Sequence, residues 1–175
     1  MALEITSVGA KVLVAFEKRA GKFPTTEDDV TWYKIPDINE APEQDLSVET
    51  IDVSNIEDEI TRYVRGRQDP GGDQSFTLNH TDAVITKWDK MVENAETKFA
   101  SGFRLWFCYY YPGASKAYYW CGLPLQLGTS GIQQNELDTI PAHVVISGWQ
   151  GWAAKPTLPS GQTDFTEYPD AGVNA

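Results

Sequence analysis

Short runs in which apolar and polar residues alternate recur along most of the chain. This period of two, with aromatic and β-branched residues at the apolar positions, is typical of half-buried β-strands. Pro36 interrupts the second run and cannot donate to a ladder, so we expect an edge strand or a bend there. The strongest predicted hairpin joins the fifth and sixth runs through Pro112 to Ser115. The runs cover residues 10–16, 31–38, 46–53, 75–79, 103–111, 117–127 and 139–149.

One segment has the period of a helix instead. Between residues 81 and 97 the apolar residues fall on a single helical face, with Asn79 or Thr81 placed to cap the first turn. Asp82 lies at the expected N-terminal end and Lys98 near the C-terminal end, which suits the helix dipole. The sequence therefore predicts a mainly β fold, a β-sandwich or open barrel flanked by one α-helix. The helical face consists of Val84, Ile85, Trp88, Met91 and Val92.

Two long segments lack either period. Residues 54–73 form a predicted connection between strands, and loops of that length in compact domains are usually functional or disordered. Residues 155–175 are rich in Pro, Gly, Asp and Thr, and we expect a flexible tail with Phe165 and Tyr168 exposed, which orders only on a partner. The predicted organisation is one domain over residues 1–154 followed by this tail.

Charge excludes some classes of function. The 175 residues include 14 basic and 25 acidic ones, a net charge of -11, and the pI is about 4.5. A groove that binds nucleic acid would need basic side chains to replace phosphate counterions, so specific DNA binding is not expected. No apolar run is long enough to span a membrane, and the first residues do not resemble a secretory signal, so we expect synthesis and residence in a cytoplasm.

Enzymatic chemistry has no visible apparatus. The two histidines, His80 and His143, lie near no nucleophile motif and show no metal-ligand spacing, and no phosphate-binding glycine loop occurs. Paired carboxylates are common in any acidic chain and carry little weight. We therefore expect no enzyme, cofactor or metal site. Cys108 and Cys121 would face each other if Tyr111 paired with Tyr118, although buried packing thiols are the simpler interpretation.

Acidic residues are strongly segregated. Residues 37–59 contain nine acidic side chains and no basic one. They form either a solvated, solubilising face or a surface that repels an anion. The long loop then carries Glu57, Asp58 and Glu59 followed by Arg62, Arg65 and Arg67, which suits opposite-charge contacts across a subunit junction. The other acidic residues are Asp37, Glu40, Glu43, Asp45, Glu49 and Asp52.

Aromatic residues crowd the predicted hairpin. Core packing explains half of them, but alternation places the other half on the opposite face, which needs a cover of its own. That cover could be the helix, a neighbouring subunit or a carbohydrate, and the last would make the protein a sugar-binding β-sandwich. The residues are Trp106, Phe107, Tyr109, Tyr110, Tyr111, Tyr118, Tyr119 and Trp120.

The order of these features resembles the tail tube (major tail) proteins of long-tailed bacteriophages. The resemblance runs from about residue 8 to residue 152 and is carried by YKIPDINEAPEQDLSVETIDVSN, a long polar loop, DPGGDQSFTL and the helix TDAVITKWDKMVENAE. Its most specific positions are Thr50 and Asp52 before the loop, and Gly72, Asp73 and Phe76 after it.

The resemblance implies hexameric rings in which four strands per subunit close an inner barrel. The rings stack into a tube within the virion tail, assembled in the host cytoplasm, through which DNA passes without specific binding. It further implies contact of the tube with tail tip, terminator and tape measure proteins, and contacts between rings through the long loop. If the lumen is acidic, as is typical of such tubes, Glu43, Asp45, Glu49 and Asp52 are candidates to line it. A ring protein of a contractile tail, baseplate or secretion tube is the related alternative.

Overall fold

A computed structural model describes residues 4, 6–26, 28–69 and 71–173. Seven strands form one antiparallel sheet in the order β2-β1-β7-β8-β9-β6-β3, and β4 and β5 form a separate two-stranded ribbon. The mainly β fold with a single helix is as predicted. The elements are β1 (Lys11–Phe16), β2 (Tyr33–Lys34), β3 (Ile38–Glu40), β4 (Ser47–Asp52), β5 (Tyr63–Asp69), β6 (Asp73–Asn79), α1 (Asp82–Ala100), β7 (Leu105–Tyr110), β8 (Lys116–Pro124) and β9 (Thr139–Ala154).

The seven-stranded sheet curls into a half-barrel. Its two edge strands, β2 and β3, are separated by only three residues of chain, which contain the predicted break at Pro36. Ile35 N–H donates to the Val12 carbonyl oxygen (3.0 Å) at one edge, and Asn79 N–H donates to the Asp37 carbonyl oxygen (2.9 Å) at the other. Asp37 has a φ of 54°, a left-handed conformation that Asp tolerates better than most residues. This crossing brings the two edges of the sheet together.

Helix α1 fills one end of the concave face. Thr81 caps it as predicted, with its hydroxyl oxygen accepting from Val84 N–H at 3.2 Å. The predicted helical face is confirmed, and it packs on Phe76, Phe107 and Trp120, whose rings lie 4.4 to 6.1 Å apart. Burial of this face is the main stabilisation available to the helix, since isolated helices are marginal in water.

The convex face of the β7–β8 hairpin is covered by the chain itself. Phe23 contacts the rings of Trp106 and Tyr119 edge-on at 5.0 and 4.8 Å, and Trp32 contacts Tyr119 at 5.5 Å. Phe165 lies against Tyr110 at 5.1 Å. The second layer of aromatic residues therefore needs neither a carbohydrate nor a neighbouring subunit to cover it.

The segment after β9 is part of the core, so the prediction that Phe165 and Tyr168 are exposed is wrong. Both side chains are buried. Lys34 N–H donates to the Thr166 carbonyl oxygen (2.8 Å) and Tyr168 N–H to the Lys34 carbonyl oxygen (2.9 Å), which adds a short parallel bridge to the edge of β2. Single aromatic residues between prolines have no period, and for that reason the pattern did not reveal this strap, residues 155–173.

The two cysteines do not face each other. The observed register pairs Tyr109 with Tyr118, so Cys108 lies opposite Tyr119 and Cys121 opposite Trp106. This register differs by two residues from the one that would align the thiols, and both cysteines are free and buried. Burial raises the pKa of the Cys108 thiol far above its usual range, which supports a packing role.

Candidate assembly surface

Strands β4 and β5 form an arm that has no strand pairing with the seven-stranded sheet. The prediction of an irregular connection over residues 54–73 is therefore wrong: Tyr63–Asp69 is a strand, and β6 begins at Asp73. Pro70 lies outside the described residues. Strand β5 is mostly exposed on both faces, so its sequence has no apolar alternation from which a strand could be predicted.

A bulge fixes the register of the arm. Val48 pairs with Gln68 and Thr50 with Arg65, which leaves Glu49 opposite two residues of β5. One of these is Gly66, where an added Cβ would lie 2.8 Å from the Glu49 carbonyl oxygen. Any larger residue at position 66 would push the strands apart, so the sequence of β5 specifies this bulge.

The arm exposes apolar side chains on both faces and at its turn. Ile51 and Val64 are paired across one face and are 49% and 47% exposed. Ile56 and Ile60, in the connecting turn, are almost completely exposed. A lone two-stranded ribbon is marginally stable in water, and exposed apolar residues of this density mark interaction sites. The arm is therefore the best candidate for contact with another molecule.

The charged residues of the arm fall into two groups. Arg62 Nε lies 3.1 Å from the Asp58 carboxylate within the turn, and that carboxylate also accepts from Asn55 N–H at 2.8 Å. These two candidate residues hold the turn together. The other four, Glu57, Glu59, Arg65 and Arg67, form no ion pair within the described part of the chain.

The four candidate lumen residues are exposed but do not share one surface. Glu49 and Asp52 occupy an odd and an even position of β4, and strand geometry places such positions on opposite faces. Asp52 accepts from Ser54 N–H at 2.8 Å, and hydrogen bonds from Ser54 lower its pKa. Glu43 and Asp45 precede the strand, and the charge of Asp45 adds to the effect of burial in raising the pKa of Tyr118.

The long strand β9 offers a second surface. β6 pairs with it only over residues 139–145, whereas β8 pairs with it over residues 144–154. Beyond Ile146, whose N–H donates to the Gly72 carbonyl oxygen, no described strand pairs with the other edge of β9. This half carries two exposed tryptophans, Trp149 and Trp152. An unpaired strand edge is a template for a strand of another chain.

An open cleft of about 770 Å³ lies at the end of the concave face that α1 does not fill. Its walls are the segment from residue 34 to residue 44 and the β7–β8 hairpin, together with Trp152. The hairpin residues Tyr109, Tyr111 and Tyr118 were singled out in the sequence, but Trp152 was not, because β9 was predicted to end at residue 149. The strand continues through a bulge beside Gly151, which has a φ of 78°.

Each histidine lies beside a single carboxylate. His80 Nδ1 lies 2.5 Å from an Asp138 carboxylate oxygen and His143 Nδ1 lies 2.8 Å from one of Asp73, all on exposed surface. Within residues 4, 6–26, 28–69 and 71–173, no three His, Cys, Asp or Glu side chains are placed to hold a metal ion. No helix in the same ranges is long and apolar enough to cross a membrane.

Comparison with known proteins identifies similar structures but no family. No protein-family model matches the chain, and no curated protein matches its sequence. Among solved structures, the chain is similar to one from the cryo-EM structure of the anti-feeding prophage baseplate, determined with six-fold symmetry. The two share 9% sequence identity with a TM-score of 0.49, over 86% of this chain and 97% of the other.

Proposed function

We propose that the protein is a non-enzymatic structural subunit of a bacteriophage tail tube, in which hexameric rings stack into a conduit for DNA. The arm carries this proposal. It exposes apolar side chains on both faces, and a neighbouring subunit would cover them. The unpaired edge of β9 supports the same conclusion, because closing a ring by rotation satisfies strand edges on every subunit.

The net charge of -11 agrees with passage of DNA rather than binding. We propose that Glu57, Glu59, Arg65 and Arg67 make contacts between rings, while Asp58 and Arg62 shape the turn that presents them. A ring protein of a contractile tail or baseplate would present the same two surfaces. Electron microscopy of the assembled particle distinguishes the two, since a tube subunit repeats along the whole tail.

The arm provides the test. Replacing Arg65 and Arg67 by Glu, with Arg62 kept, should leave the melting temperature of the monomer nearly unchanged, since both side chains are exposed and form no ion pair within the described part of the chain. The same variant should no longer form tubes, because every junction would gain repelling charges. The measurements are sedimentation velocity and negative-stain microscopy at rising concentration, with and without authentic tail tips.

A matched control makes the same change of charge elsewhere. Lys18 and Lys22 are exposed and lie outside the arm and β9, so their replacement by Glu should leave assembly intact. Normal tubes from the arginine variant would refute the role of the arm. A wild-type protein that stays monomeric at high concentration and forms no tubes on tail tips would refute the proposed function as a whole.

A further inference from the structure

The cleft on the concave face, which we call the aromatic cleft, has two chemically different walls. One wall includes the aromatic residues Tyr111, Tyr118 and Trp152, and the other includes the polar residues Asp37, Asn39 and Glu43. One Asp37 carboxylate oxygen accepts from the Thr81 hydroxyl at 3.4 Å. Its volume of about 770 Å³ is within the range of small-molecule sites, which pair apolar surface with a few polar groups.

The aromatic wall of the cleft is partly exposed, and its rings have a defined mutual orientation. The rings of Tyr111 and Trp152 are 6.5 Å apart and their planes are inclined by only 32°, so the two ring faces point in similar directions, and we call this pair the platform. Tyr118 meets Trp152 edge-on at 5.4 Å and supports it from the side. Trp152 remains 60% exposed, which is unusual for the largest apolar side chain and leaves one face free for a ligand.

The opposite wall is held in place before any ligand arrives. Tyr109 donates its hydroxyl hydrogen to the Pro42 carbonyl oxygen at 2.7 Å, and Gln44 Nε2 donates to Gln74 Oε1 at 2.9 Å. These bonds tie the segment on both sides of Glu43 to the sheet. A site fixed in this way loses little conformational entropy on binding.

The charges of the cleft indicate what kind of ligand fits. Lys11 and Lys34 line it, but both are bound to Asp164. Asp37 and Glu43 form no ion pair with any described residue. The site therefore offers hydrogen-bond acceptors without a free cation, and it would repel phosphate or another anionic ligand. The turn of a second copy's arm also fits poorly, because it carries Glu57, Asp58 and Glu59.

We propose that the aromatic cleft binds a neutral pyranose oligosaccharide. The flat C–H faces of such sugars would lie on the platform of Tyr111 and Trp152, which removes apolar surface from water. Their hydroxyl groups would donate to the carboxylates of Asp37 and Glu43, and hydrogen bonds to charged groups are the stronger ones. Trp152 lies on the half of β9 whose free edge we propose to pair in a ring, so the sugar site is tested on dilute, unassembled protein, in which neither that edge nor the arm is covered.

The experiment is a titration of the full chain with cellotetraose and, separately, with chitotetraose, followed by calorimetry and tryptophan fluorescence. We expect saturable one-to-one binding of at least one of them below about 10 mM. Trp152→Ala should weaken that binding at least about tenfold, whereas Trp149→Ala, on the same strand but outside the cleft, should change it less than about twofold. Circular dichroism verifies that both variants are folded.

Two further variants separate stacking from general damage. Tyr111→Phe keeps the ring and should keep binding, and Glu43→Gln removes a charge at an exposed position and should weaken it. The proposal is overturned if neither sugar binds, or if binding is the same in Trp152→Ala as in the wild type. Saturable binding of tetralysine in the absence of sugar binding would also overturn it, because the cleft would then be a site for cations.

Discussion

The side chain of Glu17 is completely buried, and its removal should destabilise the monomer more than the loss of any exposed charge. One carboxylate oxygen accepts from Arg104 Nε (2.7 Å) and Trp106 Nε1 (2.9 Å). The other accepts from the backbone N–H groups of Gly21 (2.7 Å) and Arg104 (3.2 Å). This one group joins the end of β1 to β7 and closes the turn after residue 17.

The magnitude follows from what Glu17→Ala would leave behind. Removing one partner of a buried ion pair costs about 3–5 kcal/mol. Arg104 is 30% exposed and can regain some hydration, which favours the lower part of that range. Trp106 Nε1 has no such access, and an unsatisfied buried donor adds about 1–3 kcal/mol. We expect a loss of about 4 kcal/mol in the free energy of unfolding, or roughly 10 °C in melting temperature.

The assay is urea unfolding of dilute protein, followed by tryptophan fluorescence and circular dichroism. Glu17→Gln keeps one acceptor oxygen but turns an amide N–H₂ toward donors, so it should lose about half as much. Glu93→Gln, at an exposed position on α1, is the matched control and should stay within about 0.5 kcal/mol of the wild type. A loss below about 1 kcal/mol for Glu17→Ala would refute the reasoning.

Three other predictions concern the strap, the thiols and the lumen. Hydrogen bonds from Lys11 and Lys34 lower the pKa of Asp164 to about 2, below its value in the unfolded chain. The stability that this carboxylate gives the folded protein is therefore complete above pH 4 to 5 and is lost as the pH falls toward 2. The melting temperature of Asp164→Asn should accordingly fall less steeply than that of the wild type as the pH is lowered. Cys108 is buried, and burial raises the pKa of its thiol, so folded protein should react with a thiol reagent at pH 8 only as fast as it unfolds. Rapid labelling of the thiol without unfolding would contradict this prediction. If β4 lines the lumen, Glu49→Lys or Asp52→Lys should slow DNA ejection because the added cations attract phosphate, and high salt should restore the rate by screening that attraction. Wild-type ejection rates for both variants at two ionic strengths would show that β4 does not line the channel.

Periodic burial explains which elements could be predicted from the sequence. Helix α1 buries one face, so its apolar residues recur with the helical period. Strands β7 and β8 are buried on both faces, so they are marked by nearly continuous runs of aromatic and other apolar residues. Strand β5 buries almost nothing, and its pairing depends on a bulge at Gly66, so its residues show no period. The strap could not be predicted for another reason, because each of its aromatic residues fills a separate gap in the core.

The candidate sites were predicted unevenly for the same reason. The charged residues of the arm were found from composition, but the bond between Arg62 and Asp58 depends on the shape of a turn. Glu17 was not singled out, since a lone Glu after a strand is usually exposed, and the two side chains that donate to it, Arg104 and Trp106, lie more than 80 residues away. Trp152 was missed because the bulge beside Gly151 interrupts the alternation of β9.

The strap also sets the order of events during synthesis. Strand β2 has only two residues, and its outer edge is satisfied by the backbone of Thr166 and Tyr168. A ribosome delivers the chain from its N-terminus at about 5–20 residues per second, so every nascent chain has an open edge beside β2 until residue 168 has emerged. Premature pairing of that edge with a neighbouring nascent chain is then possible, and completion of the strap is the step that closes this edge before subunits assemble.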